Sequence, residues 1–184
     1  MRAYLLLLTA SVLLFLGSAC TAPKAAAPQP DFRPTATIRE VMESTIEPNA
    51  DAVWNSVAIV STAEFSGEQA PHTDEEWEEV RNHALTLVEA TNLILVPGRR
   101  VAKPGEQADD PKVELSPEQI ETLINQDREA WTKLVHGLHD AAMVALKAVD
   151  AKDTQAMFDA GDGIDKACEN CHTKYWYPNQ PKVQ

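Results

Sequence analysis

The sequence predicts an all-α chain folded as an antiparallel four-helix bundle. Three observations predict it: apolar residues recur three, four or seven apart over four separate stretches, no stretch alternates as a strand does, and the connections are short except for one. The chain has 184 residues. Roughly 150 of them follow an Ala/Pro-rich leader, enough for one domain with a real core.

The first helix is expected from Thr37 to near Ser61, where Ile38, Val41, Met42, Ile46, Val53, Val57 and Val60 share one face. Pro48 interrupts that run, and a proline there removes one hydrogen bond and kinks or splits the helix. Thr73-Asp74-Glu75-Glu76 reads as a capping box, so a second helix starts at Asp74. It carries Trp77, Val80, Ala84, Leu87, Thr91 and Leu95 until Pro97-Gly98 stops it.

Gly98 to Leu115 is a long loop with the basic pair Arg99-Arg100. Ser116-Pro117-Glu118-Gln119 then restarts the chain, with serine at the cap, proline at the first helical position and glutamine completing the box. That third helix runs through Ile120, Leu123, Ile124, Asp127, Trp131, Leu134, Leu138, Ala142, Ala145 and Val149 as one long element. After a short break at Asp150-Ala151-Lys152-Asp153, whose last residue caps the fourth helix, Met157, Ala160, Ile164, Cys168, Cys171 and Tyr175 form its stripe. Pro178 ends the ordered part.

Within that fourth helix lies the pentapeptide Cys168-Glu169-Asn170-Cys171-His172. Two cysteines three apart lie on one helical face and can form thioethers to the two vinyl groups of one porphyrin, while the next residue's imidazole reaches the iron. The pattern therefore assigns Cys168 and Cys171 as covalent tethers of a single haem c and His172 as the proximal iron ligand. Two other readings compete. A redox Cys-x-x-Cys opens a helix after a strand, and no strand pattern precedes Cys168. A zinc site needs four ligands, and no nearby Cys or His completes the shell.

Met1 to Ala19 has one positive charge at Arg2, an apolar run from Leu5 to Leu16, and small residues before Cys20, the pattern of an export signal. Two processing routes stay open. Cleavage before Cys20 with lipid on its sulfur would make a membrane-anchored lipoprotein, with the stretch after it as tether; simple cleavage after Ala19 would leave Cys20 a free thiol. Either route leads to the periplasm. The expected organisation is a signal peptide over 1–19, a flexible Ala/Pro-rich linker over 20–35, the haem-bearing bundle over 36–177 and a tail over 178–184.

With 28 acidic against 16 basic residues the formal charge is −12. Such a surface disfavours nucleic acid and favours a basic redox partner protein, although an acidic face kept simply for solubility reads the same way. No glycine-rich phosphate loop or other catalytic motif occurs, which points away from an enzyme.

A haem motif at the end of a fourth helix, with Tyr175 three residues after His172 and a methionine early in the first helix, resembles the class II cytochromes c. That is the cytochrome c-prime family with its low-spin, Met-ligated relatives, and the resemblance covers about residues 36 to 177. Family members commonly place a basic residue after the aromatic, whereas this chain has Trp176 there and Lys174 two positions earlier. The resemblance implies a four-helix bundle with covalently bound haem near the C-terminus, Tyr175 in the haem environment, and homodimers as a frequent assembly.

In an up-down-up-down bundle the start of helix one and the end of helix four share an end, which makes Met42 the candidate distal iron ligand. Met157 lies 15 residues before His172, about 22 Å along the same helix, and is excluded. Counting back through the break at residues 150–153 brings Trp131 level with His172, and Arg39 sits one turn before Met42 within reach of a haem propionate. His72, His83, His136 and His139 fall off that level. A Met42-filled sixth position would give a single-electron carrier. An open one, as in relatives with an apolar residue there, would bind nitric oxide or another small gas.

Overall fold

The computed structural model describes residues 31–61 and 66–180. The signal segment, Cys20 and most of the linker lie outside the described residues. Four long helical arms surround one core: α1 (Ile38–Val41) continues through a π-helical segment (Met42–Ile46) into α2 (Glu47–Asn55), followed by α3 (Asp74–Ile94), α5 (Arg128–Asp150) and α6 (Thr154–Tyr175). A short α4 (Pro117–Gln126) precedes α5 and packs on α5 and α6. The first arm meets α3, α3 meets α5, α5 meets α6, and α6 returns to α2, so the ring of contacts closes as a four-helix bundle. Leu87, Ile94, Val53, Val135, Met157 and Ile164 are fully buried at its centre.

The first arm starts where Thr37 closes a capping box: its hydroxyl accepts from the Glu40 N–H at 3.1 Å, and its own N–H donates to the Glu40 carboxylate at 3.0 Å. The interruption expected from Pro48 takes the form of a π-turn, with the Glu47 N–H donating five residues back to the Met42 carbonyl. Proline cannot donate to Ser44, and its ring would strike that carbonyl, so the backbone widens just before it. Asn49 Nδ2 takes the Thr45 carbonyl at 2.7 Å in partial compensation.

Two sequence expectations fail here. The first helix stops at Asn55 instead of near Ser61, and the chain forms a hairpin, β1 (Ala58–Ser61) pairing antiparallel with β2 (Ser66–Gln69) in the register Ala58 to Gln69. Ser56 ends the helix by donating its hydroxyl to the Val53 carbonyl at 2.6 Å, and the β-branched pair Ile59-Val60 then favours extended backbone. The expected single third helix is broken at Asp127, whose backbone (φ −140°, ψ 71°) is not helical and whose carboxylate accepts from the Ala130 N–H at 2.9 Å. Aspartate competes for the backbone as an N-cap, and here it starts α5 afresh.

The remaining caps form as their sequences dictate. Thr73 and Glu76 exchange side-chain and backbone bonds at the start of α3, Ser116 and Gln119 do so at α4, and Asp153 accepts from Ala156 N–H at α6. The loop 98–115 is tied to the first arm instead of hanging free. Ile38 and Arg39 N–H groups, two of the donors that a helix start leaves without intrahelical partners, donate to the carbonyls of Arg100 and Val101 at 2.8 and 3.0 Å. Leu115 N–H donates to the Trp176 carbonyl at 2.8 Å, so the same loop also reaches the end of α6.

Lys103 in that loop lies 2.5 Å from Glu40. Together with the Thr37 N–H it holds the Glu40 carboxyl down to about 2, far below its ordinary 4.5. A depressed carboxylate stabilises the fold above its unfolded pKa and loses that contribution as pH falls towards the folded value. Lys103→Met is therefore expected to lower the melting temperature at pH 7 and to have a shrinking effect between pH 4.5 and pH 2. Thermal melts of both proteins across that range check this.

Candidate haem-attachment site

Helix α6 sets Cys168, Cys171 and Tyr175 on one stripe with buried Ile164 and Ala167. Both cysteines are free thiols, half-buried against the core. Burial, with Asp165 and Glu169 adding to it, pushes the Cys168 thiol up to about 11; burial and the neighbouring Cys168 push Cys171 up to about 12. At neutral pH both are uncharged S–H groups, unlike the thiolates of a redox Cys-x-x-Cys or a metal cage. Among the described residues no three His, Cys, Asp or Glu side chains converge so as to hold an ion.

His172 is half-buried next to them, and burial lowers its pKa against the opposing pull of Glu169. Neutral imidazole is the ligating form. Its ring meets Trp176 edge to face at 5.0 Å between centroids (88°) and Tyr177 at 5.9 Å (70°). The Tyr177 hydroxyl donates to Glu169 at 2.6 Å. Sequence reasoning missed this aromatic group, because Tyr177 lies beyond the helical stripe that ends at Tyr175.

Trp131 of α5, expected level with His172, stacks edge to face on Tyr175 at 5.2 Å (83°), and each is only 3% exposed. Among the described residues the buried Trp131 Nε1–H and Tyr175 hydroxyl have no hydrogen-bond partner. Buried polar groups are ordinarily paired. Two unpaired donors beside a Cys-x-x-Cys-His sequence suit a large prosthetic group that carries carboxylates.

Met42 opens the π-turn, half-buried against the core. Its height in the bundle follows from one crossing: Trp54 Nε1 donates to the Gly161 carbonyl at 3.2 Å. A Cβ on residue 161 would lie 3.2 Å from Trp54 Cδ1, which is why glycine serves at this close approach. His172 is eleven residues past Gly161, and Glu43 is eleven before Trp54, so on antiparallel arms Met42 and His172 come to the same end.

The structure gives Arg39 other partners than the α6 residues. Its guanidinium binds Asp109 with two bonds of 2.8 and 3.0 Å, Glu43 at 2.7 Å and the Gln107 carbonyl at 3.2 Å, clamping the loop to the first arm. His83 pairs with Asn49 at 2.8 Å and His139 lies 3.4 Å from Asp140, while His136 is exposed. Met157 is a fully buried core residue.

No family model matches the chain, and no curated protein matches it. The chain is similar to a solved structure of cytochrome c′, at 18% identity and a TM-score of 0.49 over 77% of this chain and 98% of that one. It is also similar to two nitric oxide complexes of cytochrome c prime from Alcaligenes xylosoxidans, a leucine-to-isoleucine and a leucine-to-alanine variant. Both are 15% identical, with TM-scores of 0.47 and 0.46; they cover 77% and 78% of this chain and 97% of each of those.

Proposed function

We propose that the chain is a periplasmic c-type haem protein that carries single electrons. Cys168 and Cys171 tether haem c, His172 is the proximal ligand and Met42 the distal one. When bound, the haem would supply a one-electron iron couple, and ligation by Met42 would raise its reduction potential. The observation that carries this reading is the crossing of Trp54 on Gly161, which supports a Met42 level with His172. The remaining work of the chain is to hold and shield: Trp131 and Tyr175 offer buried donors to a carboxylate, and the loop 98–115 covers the end of the bundle. No protein acid, base or nucleophile takes part, so the protein is a carrier and not an enzyme. Its acidic surface favours a basic redox partner. Among the described residues no helix is long and apolar enough to cross a membrane, and lipid on Cys20 would supply an anchor.

A gas-binding role is the second reading. One observation favours it: the first arm packs on α6 mainly through α2, while the π-helical segment that carries Met42 packs mainly on α3. Absorption spectra separate the two. The carrier is expected to be low-spin with the weak near-infrared band of methionine on ferric iron, and Met42→Ala is expected to abolish that band. A high-spin wild-type spectrum that shifts with nitric oxide would replace the first reading with the second.

A further inference from the structure

Past the end of α6 two aromatic side chains lie against its histidine. The N–H groups of Trp176 and Tyr177 both donate to the His172 carbonyl, at 2.8 and 3.0 Å, the first at ordinary helical spacing and the second one residue wider as the last turn of the helix ends. Leu115 N–H pins the turn from outside through the Trp176 carbonyl. The turn lets Tyr177 reach back eight residues to the Glu169 carboxylate, twice the i,i+4 spacing at which helix side chains ordinarily meet. Two aromatic rings, both steeply inclined to the imidazole, then bracket it. The torsion that orients a histidine ring is broad when nothing packs against it, and these contacts narrow it.

We infer that Trp176 and Tyr177 are positioning residues for the His172 imidazole, Trp176 as its cover towards solvent and Tyr177 as a strut locked to Glu169. The inference rests on the haem reading above. Trp176 is 38% exposed, so one side of its ring faces water while the other meets His172. Tyr177 matters through its hydroxyl as well as its ring, because its bond to Glu169 occupies a carboxylate that would otherwise lie free beside the ligand. Water near the ligand and an unbound negative charge both favour oxidised iron, so loss of either residue lowers the reduction potential.

The test is made on the full-length haem-loaded protein, with redox titration, electron paramagnetic resonance g-values of the low-spin ferric form and thermal melts. Trp176→Ala is expected to shift the oxidised-to-reduced ratio at fixed potential about tenfold towards the oxidised form, roughly 59 mV for one electron. Tyr177→Phe, which keeps the ring, is expected to shift it less in the same direction, and Trp176→Phe to restore most of the wild-type value. The g-values, which report the orientation of the imidazole, move with the potential. If Trp176→Ala fails to retain haem, Tyr177→Phe and Trp176→Phe carry the same comparison. Variants that melt lower but match wild type in potential and g-values overturn the positioning role and leave the haem assignment standing. A wild-type protein that carries no covalent porphyrin removes that assignment, and this inference with it.

Discussion

Replacing Cys168 and Cys171 together by alanine is expected to abolish covalent haem, so that the denatured polypeptide has the mass of the protein alone and shows no haem stain. Each single variant should keep one thioether and stain still. The chain has three cysteines, and the third, Cys20, precedes the bundle, so no other thiol of the bundle can substitute. Burial adds a consequence for timing. In the closed bundle both thiols are uncharged at neutral pH and half-buried, with pKa values held up at about 11 and about 12. Thiolate is the reactive form of cysteine. Attachment is therefore expected on the open chain before α6 closes, and haem supplied to folded apoprotein is expected to bind without forming thioethers. A stained band from the double variant would mean that another residue holds the porphyrin.

The elements that could be read from sequence were those whose cause is local. Thr73 with Glu76, Ser116 with Gln119 and Asp153 with Ala156 act over three residues, and each starts a helix where the sequence indicates. The level of Trp131 needed only a count through a short turn, and Trp131 stacks on Tyr175, three residues past His172. The misses have equally physical causes. Val57 and Val60 fit a helical period, but β-branched residues suit a strand as well, and the Ser56 hydroxyl decides by closing the helix at Val53. Asp127 sits in register with an apolar stripe, yet its carboxylate gains more as a cap than its place in a continuous helix is worth. At the candidate site the pentapeptide was legible because chemistry fixes its spacing. The clasp of Trp176 and Tyr177 was not, since it depends on the widened last turn of α6 and on Leu115 from a distant loop.

Trp131→Ala is expected to destabilise the protein by about 3–5 kcal/mol, the usual range for removing a buried tryptophan. For a bundle of this size that lowers the melting temperature by roughly 6–20 °C. Trp131 is 3% exposed and supports Tyr175 edge to face, so truncation leaves a cavity next to the haem motif and frees the tyrosine ring. Trp131→Phe separates volume from polarity. It keeps an aromatic ring against Tyr175 but deletes an Nε1–H that has no partner among the described residues. A buried donor left unpaired costs about 1–3 kcal/mol, so in apoprotein the phenylalanine variant recovers part of what it loses in size and should melt close to wild type. In haem-loaded protein, where a carboxylate of the prosthetic group can accept that hydrogen, the same change should cost more. Paired melts of both forms read the difference directly, and a Trp131→Phe penalty equal in the two would place the indole N–H away from the haem.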